Sequence, residues 1–470
     1  MYLPPPESSP HYPSLPELAG QPLECACPVC ATAAKSDLAF FGRDYDDPEA
    51  CAATSEAISE SLGLCFRHGA ILRADERRAG QFAKVLRSAI PRLGLLLDEK
   101  HLQTAPVQQI LFGPDDTCPA CAYSNRTAGR HAARLARKID GAEGVSAQEQ
   151  FHLLCVRHFG MFEASLPIER RLAALADYSG HLGQVNRKLK SLLRAEAPLD
   201  VWSQHDAVAT LHRAIGLTAD RLTLETAPFP GASSGAVAQH LSMADAIAHA
   251  HACPLCVMAA RARGRWLKKA RQSAPFGEDS WLALPVCPQH VAMTVWPGEP
   301  GLAAAAASHA LTMAARTQHR QIHKLNAIVE LREKEARIKA EGPEAWVAYR
   351  RKRTYRNRSS KGQEPQSVLV PGVPGVPGVP GVPRCPACEW DEVSLERATG
   401  DLMELLHEKK HRNAYVRGHG LCLKHFARVY LVAPKGPIRT MLAEDVQRRL
   451  AGLMRQDAPL AEVLGIFCTS

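Results

Sequence analysis

Aromatic residues are scarce in this chain, at 6% of its 470 residues. Its cores must therefore be built mostly from Leu, Ala, Val and Ile. Small units made that way bury modest apolar area and profit from a cross-link. A run of about twenty apolar residues is also missing. The longest candidate, residues 301–315, is mostly alanine and is interrupted by Ser308 and His309, so no membrane attachment is expected. The first residues lack a charged segment followed by an apolar core. No export signal is expected from them, and the expected location is cytoplasmic, with reduced thiols. No Gly-rich phosphate loop, no GxSxG elbow and no acid–base pair is found. Catalysis is therefore not the first expectation.

Cysteine is what the chain has instead. Twelve of its fifteen cysteines fall into one signature, written four times. Cys27-Pro28-Val29-Cys30 is followed by Cys65-Phe66-Arg67-His68. Cys118-Pro119-Ala120-Cys121 is followed by Cys155-Val156-Arg157-His158. Cys253-Pro254-Leu255-Cys256 is followed by Cys287-Pro288-Gln289-His290. Cys385-Pro386-Ala387-Cys388 is followed by Cys422-Leu423-Lys424-His425. A two-residue gap lets two ligands reach one ion from a single turn, and Zn²⁺ takes four N or S ligands in a tetrahedron. The pattern reads as four Cys₃His zinc sites, one per repeat, each closed by a CPxC and the CxxH that follows it. With every position filled by protein, the ion is structural. Proline after the first cysteine suits the first turn of a helix.

Other chemistries fit less well. A glutaredoxin-like redox dithiol needs a strand before the motif, and the flanks here are alanine-rich. A c-type haem needs CxxCH, but Ala31, Ala122, Val257 and Glu389 follow the second cysteines. Iron–sulfur ligation is a weaker alternative.

The expected architecture is all-α, with four tandem helical modules. Residues 1–24 read as a disordered Pro-rich tail, with Pro10, Pro13 and Pro16 evenly spaced. Repeat 1 spans 25–105, repeat 2 106–197, an insertion 198–236, repeat 3 237–342 and repeat 4 385–470. Between the last two lies a linker, 343–384. Its basic part is read as flexible, and residues 370–383 repeat Val-Pro-Gly, which disfavours helix and packed strand. Closing helices are expected near 76–100, 168–195, 302–341 and 439–456. An apolar residue precedes each CxxH (Leu64, Leu154, Val286, Leu421) and another follows each histidine (Ile71, Met161, Met293, Val429). Those side chains should dock the second metal-bearing helix beside its ion.

The formal charge of +9 is concentrated. Residues 316–361 hold fourteen Lys or Arg against five Glu, leaving 43 basic and 43 acidic residues elsewhere. Arg350, Arg351, Lys352, Arg353, Arg356, Arg358 and Lys361 form a candidate polyanion-binding segment. Cys25, Cys51 and Cys468 are surplus thiols. His249 and His251 precede Cys253, and His319/His323 and His407/His411 share helical i,i+4 spacing. Cys25 could replace a neighbouring ligand but reads as a spare thiol; His249 or His251 could compete for zinc in repeat 3 and the i,i+4 pairs could bind metal, but these histidines read as solvated residues.

The CPxC and CxxH sets, with Gly63-Leu64-Cys65 and Gly420-Leu421-Cys422 nearest the pattern, resemble a bacterial family of zinc-binding helical proteins of uncharacterised role. The resemblance implies zinc and helices, and no reaction or partner. The leading expectation is a zinc-held scaffold or adaptor that presents helical surfaces to protein partners. A nucleic-acid binder acting through the basic segment comes second. A thiol switch that releases zinc on oxidation comes third.

Overall fold

Each CPxC proline opens a helix. In a computed structural model, α1 (Pro28–Phe41) begins at Pro28, and three later helices begin at Pro119, Pro254 and Pro386. A proline has no N–H to lose at that position, and its fixed φ suits the first turn. The structure describes residues 27–73, 75–97, 118–141, 151–194, 205–218, 242–248, 253–273, 300–359, 386–454 and 460–467. Among these residues the chain is all-α, with no strand.

In repeat 1, α1 is followed by α2 (Pro48–Glu60), α3 (Phe66–Arg73) and α4 (Glu76–Leu96). Asp47 caps α2 by accepting from the Glu49 and Ala50 amides, and Asp75 caps α4 by accepting from Arg78. Repeat 2 contributes α5 (Pro119–Gly141), α6 (Val156–Glu163) and α7 (Ile168–Leu193), and α8 (His205–Thr218) follows. Repeat 3 contributes α9 (Met243–Ala248), α10 (Pro254–Ser273) and α11 (Pro300–Ala340). Then come α12 (Pro343–Ser359), α13 (Pro386–Leu405), α14 (Lys409–Arg417), α15 (Leu423–Val432), α16 (Pro437–Leu453) and α17 (Leu460–Phe467).

Of the residues expected to dock the CxxH helices, four are in the core, while Ile71 and Met161 are partly buried against it. Leu64, Leu154 and Leu421 are buried, as is Val429. Val286 and Met293 lie outside the described residues. Phe40, Phe41 and Phe82 meet edge-on or tilted at 5.0 to 6.0 Å in repeat 1, and Phe151, Phe159, Phe162 and Tyr178 form a second cluster in repeat 2. The insertion is part of the body, since α8 packs on α7 and α11 through Ala207, Leu211, Ala214 and Ile215.

One expectation is corrected here. Residues 349–359, read as flexible, continue α12, which packs on α11. Their basic side chains are good helix formers and hold no Pro or Gly, so a charge run alone did not argue for coil. The Pro-rich tail and the Val-Pro-Gly run lie outside the described residues.

The turn before α3 needs its glycine. Gly63 has φ of 107°, and a Cβ there would stand 2.1 Å from the Phe467 carbonyl oxygen. That same oxygen accepts the Leu64 amide at 2.9 Å. The last turn of α17 is thus fastened to the approach of a metal-bearing helix. Gly63→Ala should destabilise the fold by about 1–3 kcal/mol from backbone strain alone, with the clash adding to it. A lower thermal midpoint, together with faster hydrogen exchange in α17, is the expected result.

Candidate metal centres

Three groups of three cysteines and one histidine come together among the described residues, and in each the ligand atoms all lie within 4.8 Å of one another. The pairing differs from the expectation. Cys27 and Cys30 meet Cys155 and His158. Cys118 and Cys121 meet Cys65 and His68. Cys253 and Cys256 meet Cys422 and His425. No described group joins a CPxC to the CxxH that follows it. The half-sites are exchanged between repeats 1 and 2, and the CPLC of repeat 3 is answered by the CxxH of repeat 4.

Helix packing explains the exchange. Helices α1 and α5 pack side by side. Thr32 bonds His131 at 3.2 Å, while further along α1 the Phe40 ring meets Tyr123 at 5.8 Å. Rising numbers on one helix meet falling numbers on the other, so the two run antiparallel. Their N-termini lie at opposite ends. The CPVC of α1 therefore lies beside the later turns of α5, where α6 packs, and not beside α3. Four equivalent motifs carry no mark in the sequence of which half answers which.

The local geometry is the same in all three groups. The first cysteine immediately precedes a helix, and the second ligand is the third residue of that helix. Each group is thus gripped by two helix N-termini, where free amides and the helix dipole favour negative charge. A zinc tetrahedron with bonds of about 2.3 Å to S and 2.0–2.1 Å to N has edges of about 3.8 Å (S–S) and 3.6 Å (S–N). The Cys30–Cys155, Cys65–Cys121 and Cys256–Cys422 sulfurs are 3.7, 3.6 and 3.9 Å apart. The histidine Nδ1 stands 3.2 to 3.5 Å from the three sulfurs in the first group and 3.2 to 3.6 Å in the second. In the third it stands 3.3 to 3.4 Å away. These spacings and donors fit one tetrahedral ion per group, with Nδ1 as the histidine ligand.

The sulfurs behave electrostatically as a cage that wants a cation. Hydrogen bonds from Cys155 and then Cys30 hold Cys27 far below the usual thiol range, while Cys27 and then Cys30 push Cys155 well above it. Cys253 and Cys422 likewise hold Cys256 down, and Cys422 is pushed up. In the second group burial raises Cys118, but bonds from Cys121 and Cys65 outweigh it and bring it down, while Cys121 rises. Burial opposes charge on His425, yet the Cys256 and Cys253 sulfurs push its pKa up to about 10.

Supporting residues appear that the motif did not mark. Tyr178 on α7 donates to the Leu154 carbonyl at 2.5 Å, and its ring stacks on Phe159 at 3.7 Å. It holds the backbone that leads into Cys155. Asp37 on α1 accepts from His68 Nε2 at 3.0 Å, with both side chains fully buried. Its signal in the sequence was a carboxylate at a position flanked by Ala33, Phe40 and Phe41, the buried face of α1.

The remaining candidates are placed as follows. Cys287, His290 and Cys385 lie outside the described residues, and Cys388 lies on α13, which packs on α10. Arg350 and Arg351 are exposed on α12, Lys352, Arg353, Arg356 and Arg358 lie along that helix, and Lys361 is outside the described residues. Cys51 is half-buried, 3.6 Å from Ser88 Oγ. His319 and His323 have Nε2 atoms 3.0 Å apart on exposed helix, and His411 lies 3.6 Å from Glu408. Cys25, Cys468, His249 and His251 are outside the described residues. No described helix is long and apolar enough to cross a membrane. No protein-family model, curated protein or solved structure matches the chain.

The exchange makes a sharp prediction. Cys121→Ser should remove hydrogen-exchange protection from α3, which shares its group, and leave α6 in its own repeat protected. Structural zinc contributes roughly 10–16 kcal/mol of apparent binding energy, so the local loss should be large. Loss in α6 with α3 unchanged would restore the within-repeat pairing.

Proposed function

We propose that this protein is a zinc-held helical scaffold whose surfaces serve protein partners. The observation that carries the reading is the exchanged Cys₃His cage. It is closed, and it joins helices from neighbouring repeats instead of opening toward a substrate. Zinc suits the three thiolates and one imidazole better than a hard cation, and a tetrahedral S₃N set is its usual environment. The remaining ligands, Cys385 and Cys388 with Cys287 and His290, would by the same exchange compose a fourth site. Zinc here would supply no reaction. Bound thiolates and the neutral imidazole would hold α1 to α6 and α3 to α5.

Reduced protein should contain close to four zinc ions per chain, each with three S and one N neighbour by X-ray absorption. Acid should release them, because the metal needs deprotonated thiols and binding expels protons. Absence of zinc, or iron with visible absorbance, would overturn the reading.

A second reading, nucleic-acid binding, draws on α12. This helix carries six Lys or Arg and one Glu and is basic on more than one side. Trp346 stacks on Tyr349 at 5.7 Å, and Lys339 lies over Trp346 at 4.6 Å. Charges along a helix track phosphates without reading sequence. Changing Arg350, Arg351, Lys352 and Arg353 together to Gln should flatten the log–log salt dependence of random-duplex binding by about three units, with zinc content intact. Equal weak binding of both proteins in low-salt anisotropy would remove this reading and leave α12 a solvated helix.

A further inference from the structure

One of the three described cages has a carboxylate behind its histidine. His68 reaches its group through Nδ1, and its other nitrogen, Nε2, lies 3.0 Å from Asp37 Oδ1, with neither side chain exposed. The carboxylate does not come from an element that supplies that group's ligands. It comes from α1, whose own cysteines belong to the neighbouring group with Cys155 and His158. Helix α1 therefore serves two centres, as a ligand helix at its start and as a carboxylate donor to the second centre ten residues after Cys27.

The other pair of repeats supplies an internal comparison. There the CPLC of repeat 3 meets the CxxH of repeat 4, as the CPAC of repeat 2 meets the CxxH of repeat 1. The residue ten positions after Cys385, equivalent to Asp37, is Leu395, an apolar side chain packed against the core. The same cage is thus built once with a carboxylate behind its histidine and once with leucine at the equivalent sequence position.

We infer that Asp37 is a positioning residue that makes the Cys65–His68–Cys118–Cys121 centre the tighter metal site of this matched pair. The inference rests on the metal reading above. A carboxylate accepting from the distal N–H fixes the histidine tautomer with Nδ1 free for metal, holds the ring plane, and raises the basicity of the ligating nitrogen. It also puts a second negative charge beside a cage that carries about −1 with its ion. The N-termini of α3 and α5 converge there, each equivalent to roughly half a positive charge, and they offset it.

The test is a chelator titration of the whole zinc-loaded chain, followed by hydrogen exchange. Protection of α3 reports this centre, α6 the Cys27 centre and α15 the Cys253 centre. In Asp37→Asn, and in Asp37→Leu, which copies repeat 4, α3 should open at a chelator concentration about 10–100-fold lower than in wild type. The midpoints for α6 and α15 should not move. In a Cys121→Ser background, Asp37→Asn should change no midpoint. An unmoved α3 midpoint in protein that holds zinc overturns this inference alone, and so does joint opening of all three helices, the sign of a general packing defect. Wild type that holds no metal overturns both this inference and the metal reading. If neither Asp37 variant folds, ¹⁵N-histidine NMR of zinc-loaded wild type decides. The His68 Nε2 proton should exchange more slowly than those of His158 and His425, and equal rates overturn the inference.

Discussion

Two helix N-termini aimed at one point are an unfavourable arrangement by themselves. Each brings unsatisfied amides and a partial positive charge. Thiolates placed between them accept those amides, but three thiolates within 4.8 Å repel one another. A divalent cation would resolve the second conflict as the thiolates resolve the first. The structure repeats this arrangement of ligands, and the motif spells it out: a cysteine just before the helix, the second ligand at its third position, and, in each CPxC, proline at its first. Shifting either ligand by one residue would turn it about 100° around the helix, away from the ion.

The exchange of half-sites follows from a simpler rule. Two helices joined by a long connection and packed antiparallel have their N-termini at opposite ends. A cage built from N-termini must then recruit a partner helix from beyond its own repeat. Ser124 reaching the Ala33 carbonyl at 3.3 Å, and Arg43 lying 4.3 Å over the Tyr123 ring, belong to that antiparallel contact. The consequence is mechanical, because a metal in such a cage ties two repeats together. Within each pair of repeats the small cores need not be stable separately.

Much of this was legible in the sequence, and the limits have physical causes. Ligand spacing is a property of one helical turn, so the half-sites, their prolines and the helices they open were readable from four-residue words. The partner of each half-site depends on packing across 50 residues between His68 and Cys118 and 128 between Cys30 and His158, and four equivalent motifs leave it undetermined. Helices α2 and α14 were missed because each lies within a connection dominated by capping and charged residues: Asp46-Asp47-Pro48 before the first and Glu408-Lys409-Lys410 at the second. Basic residues 349–359 were misread because charge resembles linker composition, although Arg and Lys are good helix formers. Asp37 was overlooked because a carboxylate on an apolar face is an anomaly only once that face is known to be buried.

The same packing separates joints that contain a cage from joints that do not. Repeats 1 and 4 each carry a helix between their half-sites and a left-handed glycine before the CxxH, Gly63 in one and Gly420 in the other. Repeat 1's closing helix α4 contacts α16 and α17, and repeat 2's closing helix α7 contacts α11 of repeat 3. The described cages lie within the pairs, while these contacts between the pairs are apolar and hydrogen-bonded. Asn186 on α7, for example, donates to Thr312 on α11 at 2.8 Å and accepts from Ser308 at 2.7 Å. Helix α11 leaves that joint and continues for four turns beyond its last buried residue, Leu325. It carries the basic helix α12 at its far end. Where the basic helix stands is therefore set by apolar packing between repeats 2 and 3. Metal held in the cages would govern the internal order of each pair, and its loss would loosen the pairs before it displaced the charged arm.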